Sequence, residues 1–268
     1  MIGRMARVSS RPWLWFLPAS IGALATLLFA TGFWLALRGS IGTPLGTPPP
    51  PPQARAVSST PTGSRLLLVL GDSLARGTGD EMGRGFAAEV LDALRKRGPV
   101  EIANLAVNGA ESGEVRELLQ ASNVQSLASR ASWILLSVGG NDLSHAVPER
   151  SAASASPVEN LTRARERYAS NLRAILAALR DANPSAPIRV LGLYDPFEGA
   201  GAQSRIGASV ILGWNAVVQE TALAFPGVLV VPTFDLFERR EDRLALDHFH
   251  PNRAGYALIA ARLLQTLS

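Results

Sequence analysis

Two kinds of apolar pattern alternate along residues 65–268. Short, largely unbroken apolar runs fall at 66–70, 100–105, 133–138, 188–193 and 227–231. Runs of that length with no polar face predict strands buried on both sides. Between them, apolar positions recur at helical spacing near 84–97, 113–122, 158–182, 207–224 and 253–266. The clearest is 158–182, where Leu161, Tyr168, Leu172, Ile175 and Leu179 share one face and charges fill the other. Strands alternating with helices predict an α/β domain, a parallel sheet of about five strands with helices on both faces. In such a sheet, functional groups collect beyond the C-terminal ends of the strands.

The N-terminal pattern differs. Residues 13–37 carry no charge over 25 positions, against the ~20 that cross a bilayer core. Trp13, Trp15 and Trp34 sit near its ends, where aromatic belts form, and Arg4, Arg7 and Arg11 precede it. The pattern predicts a transmembrane helix with residues 1–12 in the cytoplasm and the bulk of the chain outside. A cleaved signal peptide is the main rival, although its apolar region usually spans only ~7–15 residues. A buried core helix is the other. Residues 38–64 include five consecutive prolines, Pro48 to Pro52, which favour an extended, semi-rigid linker. The domain expected at 65–268 follows.

Charge changes the picture little. Five of the 26 basic residues and no acidic one lie in residues 1–60, leaving 21 basic against 22 acidic residues in the remainder. The high isoelectric point therefore reflects the N-terminal segment, and the domain lacks the basic footprint of a nucleic-acid binder. Absence of cysteine excludes disulfides, thiolate catalysis and Cys-ligated zinc. Three histidines without a matching ligand cluster argue against a metal site, and no cofactor is expected.

Candidate chemistry sits at the ends of the predicted strands. The first strand runs into Gly71-Asp72-Ser73-Leu74, the second leads to Asn108-Gly109, the third to Gly139-Gly140-Asn141-Asp142, and the last helix is preceded by "DHFHPN", 247–252. A serine hydroxyl attacks only when a base takes its proton, and an imidazole serves when a carboxylate orients it. Ser73, His250 and Asp247, three residues before His250, supply those types. The oxyanion formed on attack needs fixed donors. The backbone N–H groups of Ser73 and Gly109 and the Asn141 amide are the candidates. Asp72 and Asp142 are expected to brace their loops. His248 lacks an acid at the corresponding spacing, and His145 is expected in a solvated loop. Residues 144–160 and "DPFEGAGAQSR", 195–205, read as flaps beside the site.

Together "GDSL", the glycine of "NLAVNGAES", "GGND" and "DHFHPN" resemble, in order and spacing, the four blocks of the SGNH (GDSL) hydrolase superfamily. "GTGDEMGRGF", "LGLYDPF" and "DHFHPN" are most similar to its lysophospholipase L1-like esterase branch. The resemblance covers roughly 65–268. It implies a flavodoxin-like three-layer α/β/α fold and metal-free ester hydrolysis, with Ser73, Gly109, Asn141 and His250 in the family's four named positions. The chain departs from the pattern at Ala75, where Thr or Ser is usual. The expected function is an extracytoplasmic serine esterase, held at the membrane by residues 13–37 and acting on lipid or small acyl esters. A carbohydrate O-acetylesterase or O-acyltransferase would use the same groups, and a non-catalytic binding module would retain the pocket without turnover. The sequence leaves acyl length and oligomeric state open.

Overall fold

The computed structural model describes residues 64–146, 156–196 and 202–267. Five strands, β1 (Arg65–Gly71), β2 (Val100–Asn104), β3 (Trp133–Ser137), β4 (Ile188–Leu191) and β5 (Val228–Val231), form one sheet. All its pairings are parallel and the order is β2-β1-β3-β4-β5. The chain moves one way from β1 to β2 and then crosses back over β1 to β3. The switch point of this doubly wound order therefore lies between β1 and β3, where crevices open above such sheets.

Nine α-helices are present among the described residues. They are α1 (Ser73–Arg76), α2 (Gly85–Arg95), α3 (Ser112–Leu118), α4 (Ser122–Arg130), α5 (Gly140–Ala146), α6 (Pro157–Ala182), α7 (Ala202–Leu223), α8 (Phe234–Phe237) and α9 (Arg253–Leu264). Alternation along the central strands sends their side chains to two separate cores. Leu68, Leu70, Ile134, Leu136, Ile188 and Val190 pack with residues of α3, α4, α6 and α7 on one face. On the other, Leu67, Val69, Trp133 and Leu135 pack with residues of α1, α2, α8 and α9. This is a three-layer α/β/α fold. Leu67, Leu68, Val69 and Leu70 have no exposed surface, so truncating one to alanine costs about 2–5 kcal/mol through lost burial and the cavity left behind.

The differences from the predicted elements have physical causes. The helix expected at 113–122 is α3, which ends at Leu118, and α4 follows at Ser122–Arg130, where no helix was expected. Only Val124 and Ala128 of α4 are buried, too few apolar positions to set a helical period. β4 stops at Leu191 rather than 193, because side chains take over the pairing of its backbone. Asn215 accepts from the Leu193 N–H at 2.7 Å and donates to the Leu193 carbonyl at 2.8 Å. Thr233 Oγ1 donates to the Gly192 carbonyl at 2.7 Å. The first predicted flap is helical at both ends, in α5 up to Ala146 and in α6 from Pro157, where a proline suits the first helical turn. The second gives way to α7 at Ala202. The centres of both flaps lie outside the described residues, as do the apolar run 13–37 and most of the linker. Among the described residues, no helix is long and apolar enough to cross a membrane.

Candidate active site

β1 ends beside β3, and that proximity dictates the residue there. Gly71 pairs with Ser137 and has φ +132°, and a β-carbon on it would lie 1.8 Å from the Ser137 carbonyl oxygen. No residue with a side chain fits without moving a strand. Asp72 follows in extended conformation and caps α1, its Oδ1 accepting from the Leu74 N–H at 3.1 Å and from Ser137 Oγ at 2.9 Å. Burial pushes the Asp72 carboxyl up to about 6, against these hydrogen bonds, which favour the charged form. Ser73 thereby becomes the first helical residue, and its N–H has no carbonyl partner within the helix.

The segment before α9 brings the imidazole to this serine. His250 Nε2 lies 2.9 Å from Ser73 Oγ, across 177 positions of sequence. His250 Nδ1 lies 2.6 Å from Asp247 Oδ2. The other Asp247 oxygen accepts from the N–H groups of Phe249 and His250 at 3.0 and 2.9 Å. Burial raises the Asp247 pKa, but the His250 ring and these two N–H groups outweigh it, so the carboxyl is held below the usual range and stays ionised at neutral pH. Asn252 accepts from the Gly255 N–H at 3.1 Å and so starts α9. Of the two histidines in "DHFHPN", His250 makes the bridge. His248 is exposed and holds φ +53°, a conformation unfavourable for a side-chain-bearing residue.

The remaining candidates lie on two neighbouring segments. Gly109 is exposed with φ +80°, and the space a β-carbon would enter is open. Asn141 lies in the first turn of α5, half-buried, and donates one amide hydrogen to the Ala110 carbonyl at 3.0 Å. An amide carries two hydrogens, so the second is left for another acceptor. Asp142 is buried and takes the N–H of Ser112 at 2.9 Å and its hydroxyl, a bracing role. His145 departs from expectation. It lies in the last turn of α5 rather than in a loop, and its Nδ1 pairs with Glu111 Oε1. Among the described residues, no three His, Asp or Glu side chains gather as metal ligands.

Several supporting residues escaped the sequence reading. Tyr194 donates its hydroxyl to the Phe249 carbonyl at 2.7 Å, and Tyr256 donates to the Thr78 carbonyl at 2.6 Å. Thr78 Oγ1 donates to Asn108 at 3.1 Å. A β-carbon at Gly79 (φ +94°) would meet the Pro251 carbonyl at 2.6 Å and His250 Cβ at 2.7 Å. The loop after the serine therefore abuts the histidine segment. One of the missed residues carried a signal, since Ser137 is a polar position inside the apolar run 133–138. The tyrosines carried none, because their partners are backbone atoms more than 50 positions away.

A hydroxyl, an imidazole and a carboxylate in hydrogen-bonded series, at the C-terminal edge of a three-layer α/β/α sheet, define an ester-hydrolysing serine hydrolase. The comparisons make the assignment more particular. Residues 69–258 match the GDSL-like lipase/acylhydrolase family, and the chain belongs to it. The chain is 29% identical over 208 residues to the uncharacterized protein YpmR of Bacillus subtilis, covering 75% of this chain and 81% of YpmR. Among solved structures, a lipase from a goat rumen metagenome superposes with TM-score 0.67 at 23% identity, over 76% of this chain and 97% of the lipase. The structure of TesA gives TM-score 0.59 at 18% identity, over 76% and 98% of the two chains. The acetylxylan esterase Axe2 of Geobacillus stearothermophilus gives 0.55 at 17%, over 77% and 95%. These three share the fold.

Proposed function

We propose that the protein is a membrane-anchored, extracytoplasmic serine esterase that hydrolyses lipid or small acyl esters through an acyl-enzyme. His250 Nε2 takes the Ser73 hydroxyl proton as Oγ attacks the acyl carbonyl carbon. The carbonyl oxygen becomes an oxyanion, received by the Ser73 and Gly109 N–H groups and the free amide hydrogen of Asn141. Asp247 steadies the imidazolium. Collapse expels the alcohol, which leaves with the proton from His250, and Ser73 keeps the acyl group. Water then repeats the cycle, giving its proton to His250, releasing the acid and restoring the serine. The observation that carries this reading is the unbroken 2.9 and 2.6 Å series from Ser73 through His250 to Asp247.

The anchor rests on sequence alone. It comprises a cytoplasmic stretch 1–12, a span 13–37 and a proline-rich linker 38–64 that holds the catalytic domain, 65–268, beside the outer membrane surface. That placement favours lipid-derived esters. The likeness to an acetylxylan esterase supports a second reading, removal of acetyl groups from envelope polysaccharide. The test is a panel of p-nitrophenyl esters of rising acyl length, lysophospholipid and acetylated xylo-oligosaccharide, run on wild type and Ser73→Ala. Activity should fall by at least about 10³-fold in the variant. A Ser73→Ala protein with wild-type turnover refutes the mechanism. Turnover confined to the acetylated sugar would replace the lipid reading with the second one. Protection of the domain from added protease in intact cells would contradict the topology.

A further inference from the structure

Three consecutive residues after Gly109 are each held by a different side chain of α5. The Ala110 carbonyl accepts from Asn141 Nδ2 at 3.0 Å. The Glu111 carboxylate pairs with His145 Nδ1. Ser112, which has no exposed surface, gives its N–H to Asp142 Oδ2 at 2.9 Å and its hydroxyl to Asp142 Oδ1. A fourth contact ties the knot to the helical layer, since Asn171 Nδ2 on α6 donates to Ser112 Oγ at 3.0 Å. Positions 141 and 145 are one helical turn apart and share a face of α5, with 142 beside them. The end of the loop from β2 and the first residue of α3 are therefore gripped by the helix that follows β3.

The grip matters because of what each segment carries. Gly109 precedes the held stretch, and Asn141 is itself one of the holding groups. Two of the three oxyanion donors sit on different crossovers of the sheet, and the last backbone bond from the Gly109 loop to the sheet, Val107 N–H to the Gly71 carbonyl at 2.9 Å, reaches β1 rather than the segment that carries Asn141. Resting on the serine-esterase reading above, we infer that contacts 110–141, 111–145 and 112–142 form a clamp fixing the Gly109 N–H and the Asn141 amide relative to each other. Ser112 and Asp142 are thus positioning residues. They never touch substrate, and they act by keeping two donors at the separation the oxyanion requires. Loss of that separation penalises the transition state, where the charge develops, far more than the ground-state ester.

The experiment uses the full chain with p-nitrophenyl butyrate. The variants are Ser112→Ala, Asp142→Ala, the pair combined, and Asp142→Asn, beside Ser73→Ala. We expect kcat to fall about 10–100-fold in Ser112→Ala and Asp142→Ala with KM within about twofold, as small displacements of catalytic groups produce. Affinity for a trifluoromethyl ketone, whose adduct with Ser73 presents an oxyanion, should drop by the same factor as kcat. The combined variant should be no worse than Asp142→Ala, and Asp142→Asn, which keeps an acceptor for the Ser112 N–H, should recover part of the loss. If Asp142→Ala fails to fold, Ser112→Ala and the exposed His145→Gln decide. The latter should lower kcat about 2–5-fold, less than the buried contacts do, because the pair it breaks is solvent-exposed. Wild-type kcat in folded Ser112→Ala, or a loss borne by KM alone, overturns the clamp. Inactive Ser73→Ala beside fully active Ser112→Ala removes the clamp and keeps the mechanism, whereas active Ser73→Ala removes both.

Discussion

Asp72 offers the sharpest quantitative test, because its carboxylate is buried beside the nucleophile and pairs with no cation among the described residues. Burial raises its pKa from the ordinary 3.8 to about 6. At 1.36 kcal/mol per unit, that rise corresponds to about 3 kcal/mol. The sign follows from linkage: folding favours the protonated form, so the contribution is complete below pH 3.8 and is lost as pH rises through about 6. At pH 7.5 the native state bears almost the whole cost of an ionised carboxylate. Asp72→Asn removes the charge and keeps an oxygen to accept from Leu74 N–H and Ser137 Oγ. Its new NH2 group costs about 1–3 kcal/mol where unpaired, but that cost does not vary with pH. The informative quantity is therefore the difference in unfolding free energy between wild type and variant across pH. The assay is urea unfolding at half-unit steps from pH 4 to 8, on a chain starting at Pro61, where a separate compact unit begins. Wild type should lose about 2–3 kcal/mol relative to Asp72→Asn over that range, most steeply between about pH 4 and 6, where the folded carboxyl keeps its proton and the unfolded one has lost it. A flat difference would show that the buried carboxylate is compensated, and the argument from desolvation would fail.

Other outcomes follow from the same geometry. Asp247→Asn should leave the fold intact while cutting kcat by about 10²–10⁴-fold, since the neutral amide neither fixes the ring nor balances the imidazolium; near-normal kcat in steady-state assays would remove Asp247 from the series. Asn141→Ala should lower kcat by about 10²–10³-fold with little change in KM, and a KM effect alone would make it a binding residue. Gly79→Ala should impair catalysis more than stability, because its β-carbon would press on His250 Cβ and the Pro251 carbonyl. A kcat reduced at least tenfold with Tm lowered only a few degrees is expected, and an unchanged kcat would mean that the histidine segment yields freely.

Much of the molecule was legible in the order of its residues. The run Leu66–Leu70 is apolar on both faces, and only a central strand of a doubly covered sheet asks for that. The helical period of 158–182 and the cap at Asn252 are likewise local, so α6 and the start of α9 could be read without coordinates. The types at Ser73, Asp247 and His250 narrowed the chemistry, since few constellations use a serine beside an Asp-x-x-His segment. What resisted reading was everything satisfied at a distance. Asn215 completing the edge of β4, Tyr194 holding the Phe249 carbonyl, and Ser112 closing on Asp142 join segments 22 to 55 positions apart, and no periodicity encodes such pairs. The α4 helix was invisible for a related reason, since two buried residues make no pattern.

Sequence alone determined which groups were available and which segments had to be buried, because burial and local hydrogen bonding depend on neighbours along the chain. Only the tertiary structure brought the Ser73 hydroxyl and the His250 imidazole to hydrogen-bonding distance. The 2.9 Å between Ser73 and His250 is set by crossover connections and by glycines that let loops touch. A distance of that kind is a property of the packed sheet as a whole, held by contacts whose partners the chain brings together only when it folds.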